Sequence, residues 1–185
     1  MGKGISMSNI LEFKGNWRTY QKRVLLRANN YLSDGKIHIV AAPGSGKTTL
    51  GIELISRIDR PALILAPSIT IREQWIERIK EGFLKDGIEA STYISNNLKT
   101  PKLITVATYQ ALHSAMTKYT GKLVDDVKKL EEDSDDSFAI PEEEVDYSNF
   151  ELVKTMTDEG LGTICLDECH HLRSEWWKAL VNFRK

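Results

Sequence analysis

Ala41-Ala42-Pro43-Gly44-Ser45-Gly46-Lys47-Thr48 is the stretch on which the reading of this chain turns. The β-rich run Lys-Ile-His-Ile-Val-Ala-Ala over 36–42 leads into it. Residues 47–57 follow with Leu50, Leu54 and Ile58 on one helical stripe. A strand, a glycine-rich turn and a helix in register form a phosphate cradle. Glycine lets the backbone curl so that successive N–H groups point inward, and the helix start adds the positive end of its dipole. The expected nucleotide-binding set is Pro43, Gly44, Ser45, Gly46, Lys47, Thr48 and Thr49, with ATP as the ligand. Lys47 is expected at the β- and γ-phosphates, and the Thr48 hydroxyl on Mg²⁺.

Working outward, strand and helix signals alternate. Residues 17–32 carry Tyr20, Val24, Leu25, Ala28 and Leu32 at helical spacing. Pro-Ala-Leu-Ile-Leu-Ala over 61–66 reads as a strand buried on both faces. A helix is expected over 68–84, with Ser68 as its cap and Ile71, Trp75, Ile76 and Ile79 on its core side. Residues 88–94 and 102–107 read as strands, 108–116 as a short helix, 151–159 as a helix, 163–166 as a strand and 174–183 as a closing helix. This alternation predicts an α/β fold with a mostly parallel sheet and helices on both faces.

Residues 120–149 break the pattern. Eleven Asp or Glu against two Lys between 125 and 146 give that stretch −9, so the rest of the chain carries +8 to reach the net −1. The segment is too acidic to bury much surface and is expected to be a solvated surface insertion in a single domain spanning 1–185. A mildly basic body is compatible with phosphate contacts. No apolar run approaches the length of a membrane span, and the first ten residues do not form a secretory signal. With two cysteines, a reducing cytoplasmic location is expected. Cys165, Cys169, His170 and His171 lack the paired spacing of a structural zinc site, and Cys165 falls mid-strand, where a small core residue is expected.

The strand at 163–166 delivers Asp167-Glu168 to its C-terminal end, where ligands gather in open α/β sheets. Asp167 is expected to act on Mg²⁺, and Glu168 to orient the attacking water or take its proton.

Asp167-Glu168-Cys169-His170 resembles the D-E-x-H box of superfamily 2 helicases, the DEAD/DEAH-like group. Other N-terminal motifs of that group have counterparts in the right order. Trp17-Arg18-Thr19-Tyr20-Gln21 resembles the R-x-Y-Q element, Leu65-Ala66-Pro67-Ser68 with Gln74-Trp75 resembles motif Ia, and Thr105-Val106-Ala107-Thr108-Tyr109-Gln110 resembles the segment at motif Ib. Ala41 in place of the usual first glycine also fits helicase-type nucleoside triphosphatases. Together the motifs resemble the restriction-enzyme Res-subunit and DNA-repair helicase branch. The resemblance implies the first RecA-like P-loop domain of an ATP-dependent motor acting on nucleic acid, DNA rather than RNA. It implies that Gln21 meets the adenine with Arg18 nearby, that Pro67, Ser68, Gln74 and Thr108 face nucleic acid, and that His170 couples the nucleotide site to its neighbours. It also implies a second RecA-like domain supplying arginine fingers, with nuclease or modification subunits as further partners. No Ser-Ala-Thr motif follows the acidic box before Lys185, so the 185 residues are expected to be truncated ahead of it and poorly active alone. Two other readings stay open: a P-loop phosphotransferase, and a nucleotide-gated nucleic-acid-binding module without turnover.

Overall fold

The computed structural model describes residues 5–32, 35–116 and 162–169. Four strands, β1 (Ala62–Ala66), β2 (Ile94–Ser95), β3 (Ile104–Thr108) and β4 (Thr163–Leu166), form an all-parallel sheet in the order β2-β3-β1-β4. Every residue of β1 and of β3 is buried. Successive side chains point to opposite faces, so both faces of the sheet centre are covered, as an unbroken apolar run requires.

On one face, Ala62, Ile64, Ile104 and Val106 meet Ile52 and Ile55 of α2 (Lys47–Ile58) and Trp75, Ile76 and Ile79 of α3 (Ile69–Gly82). Leu63, Leu65, Thr105 and Ala107 are buried on the other. α2 buries a second stripe besides the expected one. Ile52 and Ile55 go to the sheet, while Leu50 and Leu54 pack with Leu25 and Ala28 of α1 (Thr19–Leu32). Ser68 caps α3 as expected, its Oγ accepting from the Ile71 N–H at 3.3 Å.

Two expected strands turn out otherwise. Residues 36–42 do not join the sheet. Ile37 and Ile39 lie against the α1–α2 cluster, and Val40 is 85% exposed, so the alternation serves packing on helices rather than pairing with a strand. Residues 88–94 form mostly α4 (Ala90–Tyr93), with only Ile94 and Ser95 pairing to β3. Glu89 explains the change: its carboxylate accepts from the Ser91 N–H and hydroxyl, a local alternative to ladder bonds. The expected strand at 102–107 and the helix after it occur as β3 and α5 (Tyr109–Met116). The expected helices at 151–159 and 174–183, the acidic insertion and His170 lie outside the described residues.

The register aligns the strand ends. Ala66 pairs with Thr108 and Leu65 with Leu166, so Pro67, Thr108 and Asp167 emerge side by side at one edge of the sheet. Everything the sequence assigns to chemistry in the second half of the described chain converges there.

Candidate active site

The loop ahead of α2 has the curl that its glycines permit. Gly44 and Gly46 sit at φ +71° and +88°, in the left-handed region that disfavours side chains. Pro43 and Gly44 are exposed, while Ser45 to Thr49 are half-buried as the chain enters α2. Three side chains from the start of α1 grip this loop by its carbonyls. Arg18 Nη1 donates to Gly44 O at 3.2 Å and Ser45 O at 3.3 Å. The Tyr20 hydroxyl donates to Ser45 O, and Gln21 Nε2 donates to Gly46 O at 3.3 Å. Gln21 is 4% exposed, and its Oε1 accepts from the Arg18 N–H at 3.0 Å. Carbonyls held from outside turn the loop's N–H groups away from that grip. Ser45 Oγ is buried and has no hydrogen-bond partner among the described residues.

Lys47 bridges the loop to the sheet edge. Its Nζ lies 3.2 Å from Ala41 O and 3.5 Å from Glu168 Oε1, with both charged side chains about one-third exposed. The ammonium is therefore accessible to an incoming anion and already near the carboxylate proposed for chemistry.

Asp167 and Glu168 leave β4 in a sharp turn, Glu168 at φ +50°. A left-handed conformation is uncommon for a residue with a β-carbon and marks a position that its surroundings over-determine. Asp167 is held at three points. Its N–H donates to Leu65 O at 2.9 Å, its carbonyl accepts from the Tyr109 hydroxyl at 2.9 Å, and its Oδ2 accepts from Trp75 Nε1 at 2.7 Å. Burial, followed by the nearby Cys169, Cys165, Asp167 and Glu168, pushes the Tyr109 phenol well above its ordinary range, so it remains a donor. Burial pushes the Cys165 thiol up to about 12. Cys165 packs with the core, and no cluster of three or more His, Cys, Asp or Glu among the described residues could hold a metal by itself.

The donor set nonetheless fits Mg²⁺ bound together with phosphates. A Thr48 hydroxyl and an Asp167 carboxylate are hard oxygen donors, and Mg²⁺ bound by one or two protein oxygens completes its shell with phosphate and water. The orphaned Ser45 hydroxyl and the curled backbone suit an anionic ligand at the loop.

The residues expected to face nucleic acid are less uniform. Pro67 is half-buried, and Ser68 and Gln74 are exposed. Thr108 is 6% exposed, and its Oγ1 accepts from the Ala111 N–H at 3.0 Å, capping α5. Its hydroxyl thus accepts one bond within the fold and keeps its proton to donate. Sequence reasoning did not assign site roles to Tyr20, Trp75 and Tyr109. The usable signal is chemical: a buried ring bearing an N–H or O–H needs a partner, and here the partners belong to the site.

A family model described as "Type III restriction enzyme, res subunit" matches residues 14–185. Over 60 residues the chain is also 37% identical to UvrABC system protein B of Bordetella petrii. That stretch is 31% of this chain and 9% of the relative's length.

Proposed function

The chain belongs to the family of the type III restriction enzyme res subunit, and from that premise we propose that it is the ATP-hydrolysing motor domain of a DNA-directed helicase or translocase. The family is a superfamily 2 helicase and nucleoside-triphosphatase domain with a RecA-like P-loop fold, so nucleotide binding and nucleic-acid binding come with membership. The single observation that carries the finer reading is the convergence on Lys47, whose ammonium reaches both the loop carbonyl of Ala41 and the Glu168 carboxylate.

In this reading Pro43–Thr49 cradle the phosphates, with Lys47 neutralising their charge as it builds up in transfer. Thr48 and Asp167 would hold Mg²⁺, which supplies charge neutralisation at the phosphates when bound. Glu168 orients or deprotonates the attacking water, and His170 links this corner to adjoining segments. Arg18 and Gln21 adjoin the loop and serve the base side of the nucleotide. Pro67, Ser68, Gln74 and the Thr108 turn face DNA, a direction supported by the restriction-enzyme family. The domain covers 1–185, with 120–149 as a surface insertion. A second RecA-like domain supplies the arginines that complete the cleft, and nuclease or modification subunits are the expected further partners. Among the described residues no helix is long and apolar enough to cross a membrane.

The test is ATP turnover with and without single- and double-stranded DNA and RNA, measured on the 185 residues and on a protein joining them to a second RecA-like domain. DNA-stimulated turnover only in the two-domain protein, with nucleotide binding in both, is expected. Robust DNA-stimulated turnover by the 185 residues alone would overturn the two-walled site. Transfer of phosphate to a small acceptor would replace the motor with a phosphotransferase. Binding without turnover in both proteins would leave a gated binding module.

A further inference from the structure

A buried tryptophan hydrogen-bonded to a carboxylate at the mouth of a candidate metal site is more than a core residue. Trp75 is 3% exposed and belongs to the main core between α3 and the sheet. Its ring is accommodated because position 51 on α2 is glycine. A β-carbon there would lie 2.9 Å from Trp75 Cη2 and 3.9 Å from Cys165 Sγ. Three elements, α2, α3 and β4, thus meet around one indole. From that seat Nε1 donates to Asp167 Oδ2 at 2.7 Å, a short bond to an ionised acceptor, of the stronger class.

We propose that Trp75 is a positioning residue for the metal-binding carboxylate. It fixes Oδ2 of Asp167 and so sets the direction in which Oδ1 is offered. This rests on the nucleotide-site reading given above. The rotation of an aspartate about its last bond is soft and broad, so a carboxylate at a strand end needs an external donor to select one orientation. The backbone of Asp167 is secured separately, by Leu65 O and the Tyr109 hydroxyl. Removing the indole N–H therefore frees the carboxylate while leaving its main chain in place. Because the donor is on α3 and the acceptor follows β4, the orientation is a property of the packed core rather than of the turn that carries Asp167.

The experiment is an equilibrium titration of the 185-residue chain with a fluorescent ADP analogue, first in EDTA and then across Mg²⁺ concentration, for wild type and Trp75→Phe. Phe keeps an aromatic ring in the core and deletes the donor together with the outer part of the indole that meets Gly51, so the EDTA measurement serves as the control for the packing loss. Wild type is expected to bind more tightly as Mg²⁺ rises. Trp75→Phe is expected to match wild type in EDTA and to need about tenfold more Mg²⁺ for the same tightening, the scale of one charge-assisted bond. An unchanged Mg²⁺ midpoint overturns the proposal, as does an equal loss of affinity with and without Mg²⁺, which would mark a purely structural residue. If wild type shows no Mg²⁺-dependent binding, or Lys47→Ala binds as well as wild type, the nucleotide-site reading fails and takes the proposal with it. That failure is visible in proteins that retain Trp75. Should Trp75→Phe unfold, the wild-type indole ¹H–¹⁵N resonance of Trp75 gives the answer. It is expected to shift with ADP and Mg²⁺ together but not with ADP in EDTA; an identical spectrum in the two conditions overturns the assignment.

Discussion

The phosphate loop and the acidic corner face one another across Lys47, and they are held by different means. Arg18, Tyr20 and Gln21 grip the loop through the carbonyls of Gly44, Ser45 and Gly46, and these three side chains come from the first turn of α1 and the residue just before it. That helix joins α2 through a small cluster, Leu25, Ala28, Leu50 and Leu54. The corner is held by Leu65, Trp75 and Tyr109, and all three are buried within or against the sheet. Local stability follows buried apolar contact. The loop is therefore the adaptable half of the site and the corner the fixed half. Under the proposed function, a site that must admit and release a polyphosphate, yet present a carboxylate in one orientation, is served by that division.

The largest expected effect breaks the chemistry and leaves both halves standing. Glu168→Gln keeps size and polarity but removes the proposed base and the charge facing Lys47. Turnover by a two-domain protein is expected to fall by about 10³-fold, while affinity for the nucleotide analogue stays within a few-fold. Equal losses in binding and turnover would mean that Glu168 organises the loop rather than the water.

Gly46→Ala tests the adaptable half. At φ +88° an alanine is strained, and its β-carbon would lie 2.8 Å from Gln21 Nε2. Strain of about 1–3 kcal/mol is expected. It should appear as a nucleotide affinity lower by about 5- to 150-fold, with only a small change in the cooperative melt, because the clamp and not the core gives way. A melt that falls by the full amount with affinity preserved would show the loop to be as rigid as the corner.

Much of this was legible beforehand, for identifiable reasons. β1 reads from its unbroken apolar run, since a strand covered on both faces has no polar position. β4 reads from Thr163–Leu166, bounded by Gly162 and Asp167. The loop and the acidic pair stand out as candidates because phosphate and Mg²⁺ restrict the residue types that could serve them. Residues 36–42 were misread because period-two alternation marks a one-sided apolar segment and does not say whether a strand or two helices receive it. Residues 88–94 were misread because Ile88 and Ile94 signal burial, whereas the conformation between them is set by the Glu89 carboxylate. Trp75 was legible as a core residue and as part of a motif, Tyr109 as part of a motif, but neither as a partner of Asp167. Periodicity places a ring inside but carries no information about which group its N–H or O–H will meet. Glu168 in the left-handed region had no sequence signal at all, since glutamate gives no preference for that turn.

Tyr109→Phe sharpens the fixed half. It removes the donor to Asp167 O and leaves the ring in the core. The expected cost is about 1 kcal/mol, read as a melting temperature lower by about 2–4 °C in a chain of this size. Affinity in EDTA should not change. A much larger loss would mean that the corner depends chiefly on its backbone tie, and that the Trp75 bond cannot hold the carboxylate without it.

The smallest effect lies beneath the corner, in Cys165. Burial, with the Asp167 charge second, holds its thiol up to about 12, against 9.0 ordinarily. The folded chain thus keeps the proton over a range in which the unfolded chain gives it up. Below pH 9 the advantage of burying a neutral thiol is fully present. From pH 9 upward the unfolded state is favoured by ionisation, and the advantage is lost progressively until the folded thiol titrates near 12. Cys165→Ala removes this group, so although the variant starts from lower stability because it leaves a cavity, its urea midpoint should decline less between about pH 8.5 and 10.5 than that of wild type. Parallel declines would show that the thiol gains access to water in the folded state. The strand under Asp167 would then be as adaptable as the loop opposite it, and the contrast between the two halves of the site would fail where it is most expected to hold.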